Sequence, residues 1–190
     1  MKNTQKTILL FVLFMISFFL DIPLSNFAKQ LQNPYLTQIM LFVSNDLTMI
    51  FITIFVIIFF LIKKRKDLVF YSVAGILTSL AIVFIIKSLY FRPRPFQDLG
   101  VLSIDGSKNS SFPSGHVTRI SAFVPFAWIY KKSRFFILAI VILVAFSRIY
   151  LQAHYLSDII FGFILGYYTS LFFLYFSKKR NKLNSILTRI

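Results

Sequence analysis

No cysteine and no glutamate occur among the 190 residues, and negative charge comes from six aspartates alone: Asp21, Asp46, Asp67, Asp98, Asp105 and Asp158. The first absence removes disulfides, thiol nucleophiles and thiolate zinc sites, without identifying a compartment. The second weakens any mechanism built on paired metal ions, because holding two divalent cations takes several converging carboxylates. Histidine is nearly as scarce, with His116 and His154 the only two. What fills the chain instead is apolar: 57% of residues are hydrophobic, and the mean hydropathy is +0.76. That balance belongs to an integral membrane protein rather than to a water-soluble domain.

The net charge of +15 raises nucleic acid as a partner, but the basic residues fall in short clusters between apolar runs, as membrane topology requires. The expected surroundings are therefore a lipid bilayer, and no nucleic acid. Lys2 and Lys6 precede an apolar run at 7–20 that has the charged and hydrophobic parts of a signal peptide. No small-x-small cleavage site follows, so an uncleaved first helix is expected, continuing past Asp21 towards Phe27 to reach the roughly 20 residues of a span. The stretch on to Asp46, with Pro34 in it, reads as interfacial. Apolar runs at about 47–62, 68–90, 117–130, 135–146 and 155–176 complete a single all-α, polytopic domain over residues 1–190, with six transmembrane helices expected. With the N-terminus inside, the cytoplasmic segments hold 14 of the 21 basic residues, from Lys2 and Lys6 through the 63–66 and 131–134 clusters to the 178–189 tail. The positive-inside rule favours that orientation. Six of the seven others (Lys87, Arg92, Arg94, Lys108, Arg119 and Arg148, but not Lys29) lie in or beside three polar segments on the opposite face.

The most concentrated of these is the stretch 147–158, which opens Ser147-Arg148 and closes with His154-Tyr155-Leu156-Ser157-Asp158 between two apolar runs. His154 and Asp158 are four apart, so on a helix they share a face, where the carboxylate can fix the tautomer of the imidazole and leave its other nitrogen free as a nucleophile. A second segment, Lys87-Ser88-Leu89-Tyr90-Phe91-Arg92-Pro93-Arg94-Pro95, closes the third apolar run, and a third, Pro113-Ser114-Gly115-His116, opens the fourth. Pro113 stops the preceding structure, Gly115 permits close backbone approach, and a helix starting here directs free N–H groups at an anion. Cations, histidines and a helix start together suit a phosphate.

Lysine, six residues, Arg-Pro; then Pro-Ser-Gly-His; then Ser-Arg, five residues, His, three residues, Asp: in order and spacing this resembles the three-part signature of the type 2 phosphatidic acid phosphatase family. The resemblance implies a six-helix membrane bundle and metal-independent hydrolysis of a lipid phosphate at the extracytoplasmic face, with no cofactor and with water as the second substrate. In a bacterium it would place the chain in the inner membrane. The substrates it implies are undecaprenyl diphosphate, phosphatidylglycerophosphate, phosphatidic acid or lipid A 1-phosphate. It also implies roles: His154, oriented by Asp158, attacks phosphorus to form a phosphohistidine; His116 protonates the leaving oxygen and then activates water; Lys87, Arg94, Arg148, Ser114 and Gly115 bind phosphate oxygens. Two other functions share this scaffold, a phosphotransferase using the same phosphohistidine and a non-catalytic lipid-binding or transport protein.

Residues around the motifs carry further expectations. Arg92 does not fit the signature's spacing and is expected at the surface or on a headgroup. Asp98 and Asp105 are expected in a solvated loop. Gly162 and Gly166 continue the face of His154 and Asp158 at four-residue steps, as close helix packing requires. Pro125 is expected to kink the fourth helix. Arg119, one turn beyond His116, is a candidate contact for a second phosphate or another anionic headgroup group.

Overall fold

The computed structural model describes residues 3–95 and 110–187, and within them eight helices: α1 (Asn3–Gln30), α2 (Pro34–Ser44), α3 (Asp46–Ile62), α4 (Lys66–Leu89), α5 (Gly115–Ser121), α6 (Val124–Ala127), α7 (Lys131–Tyr150) and α8 (Leu156–Leu187). Lys108, Asp98 and Asp105 lie outside the described residues. The stretches Thr7–Gln30, Lys66–Leu89, Ser133–Tyr150 and Leu156–Lys179 are long and apolar enough to cross a membrane unbroken, and α2 with α3 forms a fifth candidate, bent by 51°. The expected interfacial segment is thus a helix in its own right. Asn33 caps it by accepting a hydrogen bond from the Leu36 N–H, and Pro34 occupies its first position, where no N–H is needed. At the bend, the Asn45 side chain accepts from the Leu47 N–H and starts α3.

The expected fourth helix, at 117–130, does not run continuously. The stretch is broken into α5 and α6, of seven and four residues. Pro125 has no N–H to offer the Ser121 carbonyl, and the chain turns at Ala122 and Phe123 immediately before it. Hence six apolar runs yield four unbroken spans, one bent pair and one broken stretch.

α8 is the hub, packed against α1, α4, α5 and α6, while α7 lies against α1, α2, α5 and α6. Met49, Phe60, Leu68, Val117, Ile120, Phe123, Phe126 and Val144 form the core between them, whereas Phe19, Phe42, Phe84 and Leu89 stand exposed as a lipid-facing belt. Since lipid tails are as apolar as these side chains, close packing of small groups holds the helices together. A methyl added at Gly162 would sit 2.7 Å from the Ser114 carbonyl oxygen, and one at Gly166 would collide with the Thr118 carbonyl and Ser121 Oγ. These two glycines let α5 lie directly on α8. Gly166→Ala is accordingly expected to cost about 1–3 kcal/mol of stability, seen as a lower melting temperature in detergent; an unchanged melting temperature would contradict this packing.

α4 is 24 residues and about 36 Å long, so its two ends reach opposite faces of a bilayer. The basic 63–66 turn stands at its start and Lys87 at its end. The end of α4, the start of α5, the end of α7 and the start of α8 meet on one face, opposite the basic turn.

Candidate active site

The turn between α7 and α8 sets two of the motif residues side by side. Gln152 takes a left-handed conformation, φ 55°, which is costly for a residue with a Cβ. Its side chain offsets that cost: the carboxamide oxygen accepts from Ser25 Oγ at 2.6 Å, and Nε2 donates to the carbonyls of Ser25 at 2.9 Å and Ile149 at 3.1 Å. The reversal lets the N–H groups of Ala153 and His154 both donate to the Arg148 carbonyl, at 3.0 and 3.2 Å. Arg148 and His154 are thereby fixed relative to each other, and both are buried. Tyr150, also buried, accepts from the Asn33 N–H through its hydroxyl and from the Gln32 side chain through its carbonyl, so the α1–α2 turn is tied to the end of α7.

His154 and Asp158 do come together, though not on one helix face as expected. His154 precedes α8, and Asp158 lies in its first turn, where its Oδ2 accepts from the Tyr155 N–H at 2.9 Å in the manner of a capping residue. Oδ2 then stands 3.6 Å from His154 Nδ1, an ion-pair distance slightly longer than a hydrogen bond. Nδ1 has no other partner and is fully buried. Its hydrogen therefore belongs on Nδ1, facing the carboxylate, and Nε2 keeps the lone pair.

Arg92 corrects an expectation. Its guanidinium is not at the surface: one nitrogen donates to Asp158 Oδ1 at 2.6 Å and to Ser157 Oγ at 2.6 Å, and the other donates to Asp21 Oδ2 at 2.7 Å. Asp21, buried in the middle of α1, also accepts from the Ser157 N–H at 2.8 Å and hydroxyl at 2.6 Å. Burial lowers the pKa of Arg92, but the two carboxylates outweigh it, and the net shift is upward. One cation thus holds two buried carboxylates, and α1 is coupled through it to the residue that orients His154. Asp21 was legible as an acid inside an apolar run, a placement that is expensive unless it serves a purpose; Arg92 was misjudged because motif spacing says nothing about ion pairs.

The segment leading into α5 is stitched to the first motif. The Ser111 N–H donates to the Arg92 carbonyl at 2.8 Å, Ser110 Oγ accepts from the Arg92 N–H at 3.0 Å, and Lys87 Nζ donates to the Ser110 carbonyl. The Ser114 N–H donates to the Asp158 carbonyl at 3.1 Å, which seats the start of α5 on α8. α5 begins at Gly115 with Ser114 as its cap, so the expected helix start is in place. Ser114 Oγ is fully buried without a hydrogen-bond partner, and the first N–H groups of α5 have no partner within the helix. His116 Nε2 lies 2.9 Å from the Ser44 carbonyl. A carbonyl only accepts, so Nε2 carries the hydrogen and Nδ1 is the basic nitrogen of the neutral ring. Ser44 is itself held by Ser147 Oγ at 2.7 Å, which gives the serine of the third motif a structural task.

Charge converges on the two rings. Burial pushes the pKa of His154 well below its ordinary value, and Arg148, Arg94, Lys87 and His116 push it further in the same direction. His116, between the apolar runs, is lowered to about 4, first by burial, then by Arg148 and Arg119, against the opposing pull of Asp46. Both rings are therefore neutral at pH 7. A dianion entering the cationic pocket would offset the three cations and raise both values. The arrangement is a cradle of buried Arg94 and Arg148 and half-buried Lys87 around an unprotonated ring nitrogen, with the serine hydroxyl of Ser114 buried at the start of α5.

A sequence profile of the PAP2 superfamily matches residues 68–182. The chain belongs to the PAP2 superfamily. A lipid A 1-phosphatase of Rhizobium johnstonii is 38% identical over 85 residues, which cover 42% of this chain and 35% of the relative, so the match spans about a third of that protein's length. An undecaprenyl-diphosphatase of Bacillus subtilis is 28% identical over 131 residues, 67% of each chain. The crystal structure of a transmembrane PAP2-type phosphatidylglycerolphosphate phosphatase, also from Bacillus subtilis, superposes with a TM-score of 0.72 at 21% identity, over 90% of this chain and 96% of that one. That likeness fixes the fold as the PAP2 membrane bundle.

Within this PAP2 bundle the fold brings together Lys87, Arg94, Ser114, Gly115, His116, Arg148, His154 and Asp158, each from one of the three motifs. It adds Arg92, Asp21 and Ser157, which lie behind Asp158, and Ser44, which lies behind His116. Arg119 stands apart from the cradle, one turn along α5 and half-buried.

Proposed function

We propose that this PAP2 protein is a metal-independent lipid phosphatase that works through a phosphohistidine on His154. The observation that carries the reading is the burial of a neutral imidazole, oriented by Asp158 at 3.6 Å, within electrostatic reach of Arg148, Arg94 and Lys87. Phosphoryl transfer asks a protein mainly for positioning and charge stabilisation. At an effective dielectric near 20, each cation about 4 Å from a phosphate charge attracts it by roughly 4 kcal/mol before desolvation. Ser114 Oγ and the first N–H groups of α5 supply hydrogen bonds to the remaining oxygens.

In the first step His116, protonated on Nδ1 once the bound dianion has raised its pKa, gives that proton to the departing oxygen as Nε2 of His154 attacks phosphorus and the P–O bond to the lipid breaks. Asp158 balances the positive charge that forms on the His154 ring. In the second step His116 takes a proton from water, the water oxygen attacks phosphorus, and the N–P bond breaks to release phosphate. The carboxylates Asp21 and Asp158 are already saturated by Arg92, Ser157 and the Tyr155 N–H, which makes them poor metal ligands. The concentration of 14 of the 21 basic residues in segments away from the motifs supports an active site on the extracytoplasmic face, in the inner membrane if the chain is bacterial. The names of the relatives support three of the substrates that the family resemblance implies, undecaprenyl diphosphate, phosphatidylglycerophosphate and a lipid A 1-phosphate, and phosphatidic acid remains the fourth of that class.

The test is phosphate release from those four lipids by the purified chain in detergent, with EDTA present. Turnover of at least one, undiminished by EDTA, is expected. Activity abolished by EDTA and restored by a divalent ion would overturn the mechanism, and no release from any lipid would overturn the activity.

A further inference from the structure

We infer that Arg119 and the groove it faces form a second anion subsite, which takes the lipid-side phosphate of a lipid diphosphate. The inference rests on the phosphatase reading above and narrows its substrate class. A cavity of about 390 Å³ lies between α3, α4 and α5, lined by Asp46, Ile50, Thr53, Ile54, Ile76 and Arg119. Ile50 and Ile54 are 47% and 46% exposed on the lipid-facing side of α3, so the groove opens sideways towards the acyl chains. A lipid can therefore enter it without leaving the bilayer.

Arg119 is the cation of this groove. A half-buried arginine at membrane depth calls for an anionic partner. Among the described residues Arg119 makes no hydrogen bond and no ion pair, although Asp46 lines the same cavity. The Asp46 carboxylate is 76% exposed and stands 3.5 Å from His116 Nε2, so water screens it and it forms no ion pair with Arg119. That leaves the Arg119 guanidinium available to an anion entering the groove from the bilayer.

Its position relative to the chemistry selects the anion. Arg119 follows His116 by three residues, so it lies on the same side of α5 about one turn, roughly 4.5 Å, further along. His116 feels both Arg148 on the cradle side and Arg119 on the groove side. The order is therefore cradle, leaving-group histidine, second cation. A diphosphate laid along it puts its terminal phosphorus in the cradle and its lipid-side phosphate at Arg119. When His154 Nε2 attacks the terminal phosphorus, the bond from that phosphorus to the bridging oxygen breaks. The electron pair stays on the bridging oxygen, and the lipid monophosphate that leaves carries an added negative charge next to Arg119. Water then cleaves the N–P bond as before, with its proton going to His116. A phosphate is a weaker base than an alkoxide, so this leaving group depends less on His116 and more on the fixed cation. A monophosphate lipid, by contrast, presents an uncharged tail to the groove.

The experiment compares kcat/KM on farnesyl diphosphate and farnesyl monophosphate, which share one tail, for the wild-type chain, Arg119→Gln and Arg119→Lys in detergent, with phosphatidic acid as a further substrate. Losing a charged hydrogen bond predicts a fall of about 10- to 100-fold on the diphosphate for Arg119→Gln, a loss within about threefold on the monophosphate, and substantial recovery in Arg119→Lys. Equal losses on both prenyl substrates, or none on the diphosphate, would overturn the subsite. Should Arg119→Gln not fold, the wild-type protein still decides: inorganic pyrophosphate is expected to inhibit monophosphate turnover at least about tenfold more tightly than orthophosphate, and equal inhibition would overturn the subsite. Failure to release phosphate from any of the three lipids would instead remove the phosphatase reading on which the subsite depends.

Discussion

His154→Asn is expected to bring phosphate release down to background, a loss on the order of 10⁴-fold or more, in a protein that still folds. Asparagine keeps a polar side chain of smaller but related shape in a buried position, so the surrounding hydrogen bonds of Gln152, Tyr155 and Asp158 can persist. What disappears is the Nε2 lone pair that attacks phosphorus. His116, held through its Nε2 by the Ser44 carbonyl, keeps a basic Nδ1, but that nitrogen serves proton transfer at the leaving oxygen. Phosphate release, with the melting temperature as the check on folding, decides the matter. A folded His154→Asn protein with more than a few per cent of wild-type turnover would show that some other group attacks phosphorus.

Arg92→Leu is expected to be the most destabilising single change at the site, by about 3–5 kcal/mol. The estimate follows from geometry: the guanidinium bonds two buried carboxylates at once, Asp21 at 2.7 Å and Asp158 at 2.6 Å, and its side chain is only 16% exposed. Removing it leaves two negative charges buried without a counterion, a far more expensive state than either partner's absence. Partial rescue distinguishes this account from a simple packing defect. Adding Asp21→Asn to Arg92→Leu removes one of the stranded charges while an oxygen remains to accept from the Ser157 N–H. The double variant should therefore be more stable than Arg92→Leu alone in thermal unfolding in detergent. Arg92→Lys keeps the charge but not the fork that reaches both carboxylates, and should fall between. Equal stability of wild type and Arg92→Leu would mean that the network carries little of the folding free energy.

Much of the catalytic cradle could be read from the chain because its residues sit in contiguous motifs whose types and spacing reflect phosphate chemistry. The helix start at Gly115 followed from Pro113, which stops the preceding structure, and the close packing at Gly162 and Gly166 from their four-residue spacing beyond Asp158. The parts that were not legible depend on contacts between distant segments. Arg92 sits beside the signature, but its role is set by Asp21, which lies 71 positions earlier, and by Ser157 and Asp158, more than 60 positions later. The shared helix face of His154 and Asp158 failed because Asp158 caps its own helix through the Tyr155 N–H, which places the start of α8 after His154. The continuous fourth span failed for a local reason that was visible, since Pro125 cannot satisfy the Ser121 carbonyl. A kink was expected there, and the chain instead breaks into two short helices, both packed against α7 and α8.

The most direct test of the central claim is to trap the intermediate. The full chain in detergent is mixed for milliseconds with a lipid carrying a radiolabelled phosphate, quenched in alkali, and digested so that the labelled peptide can be sequenced. A phosphohistidine is stable to alkali and labile to acid, unlike a phosphoserine. The account predicts an alkali-stable, acid-labile label on the peptide containing His154, present in His116→Ala, where breakdown of the intermediate is slowed, and absent from His154→Asn. A label on Ser114, on His116 or on no residue at all, in a preparation that releases phosphate, would contradict it.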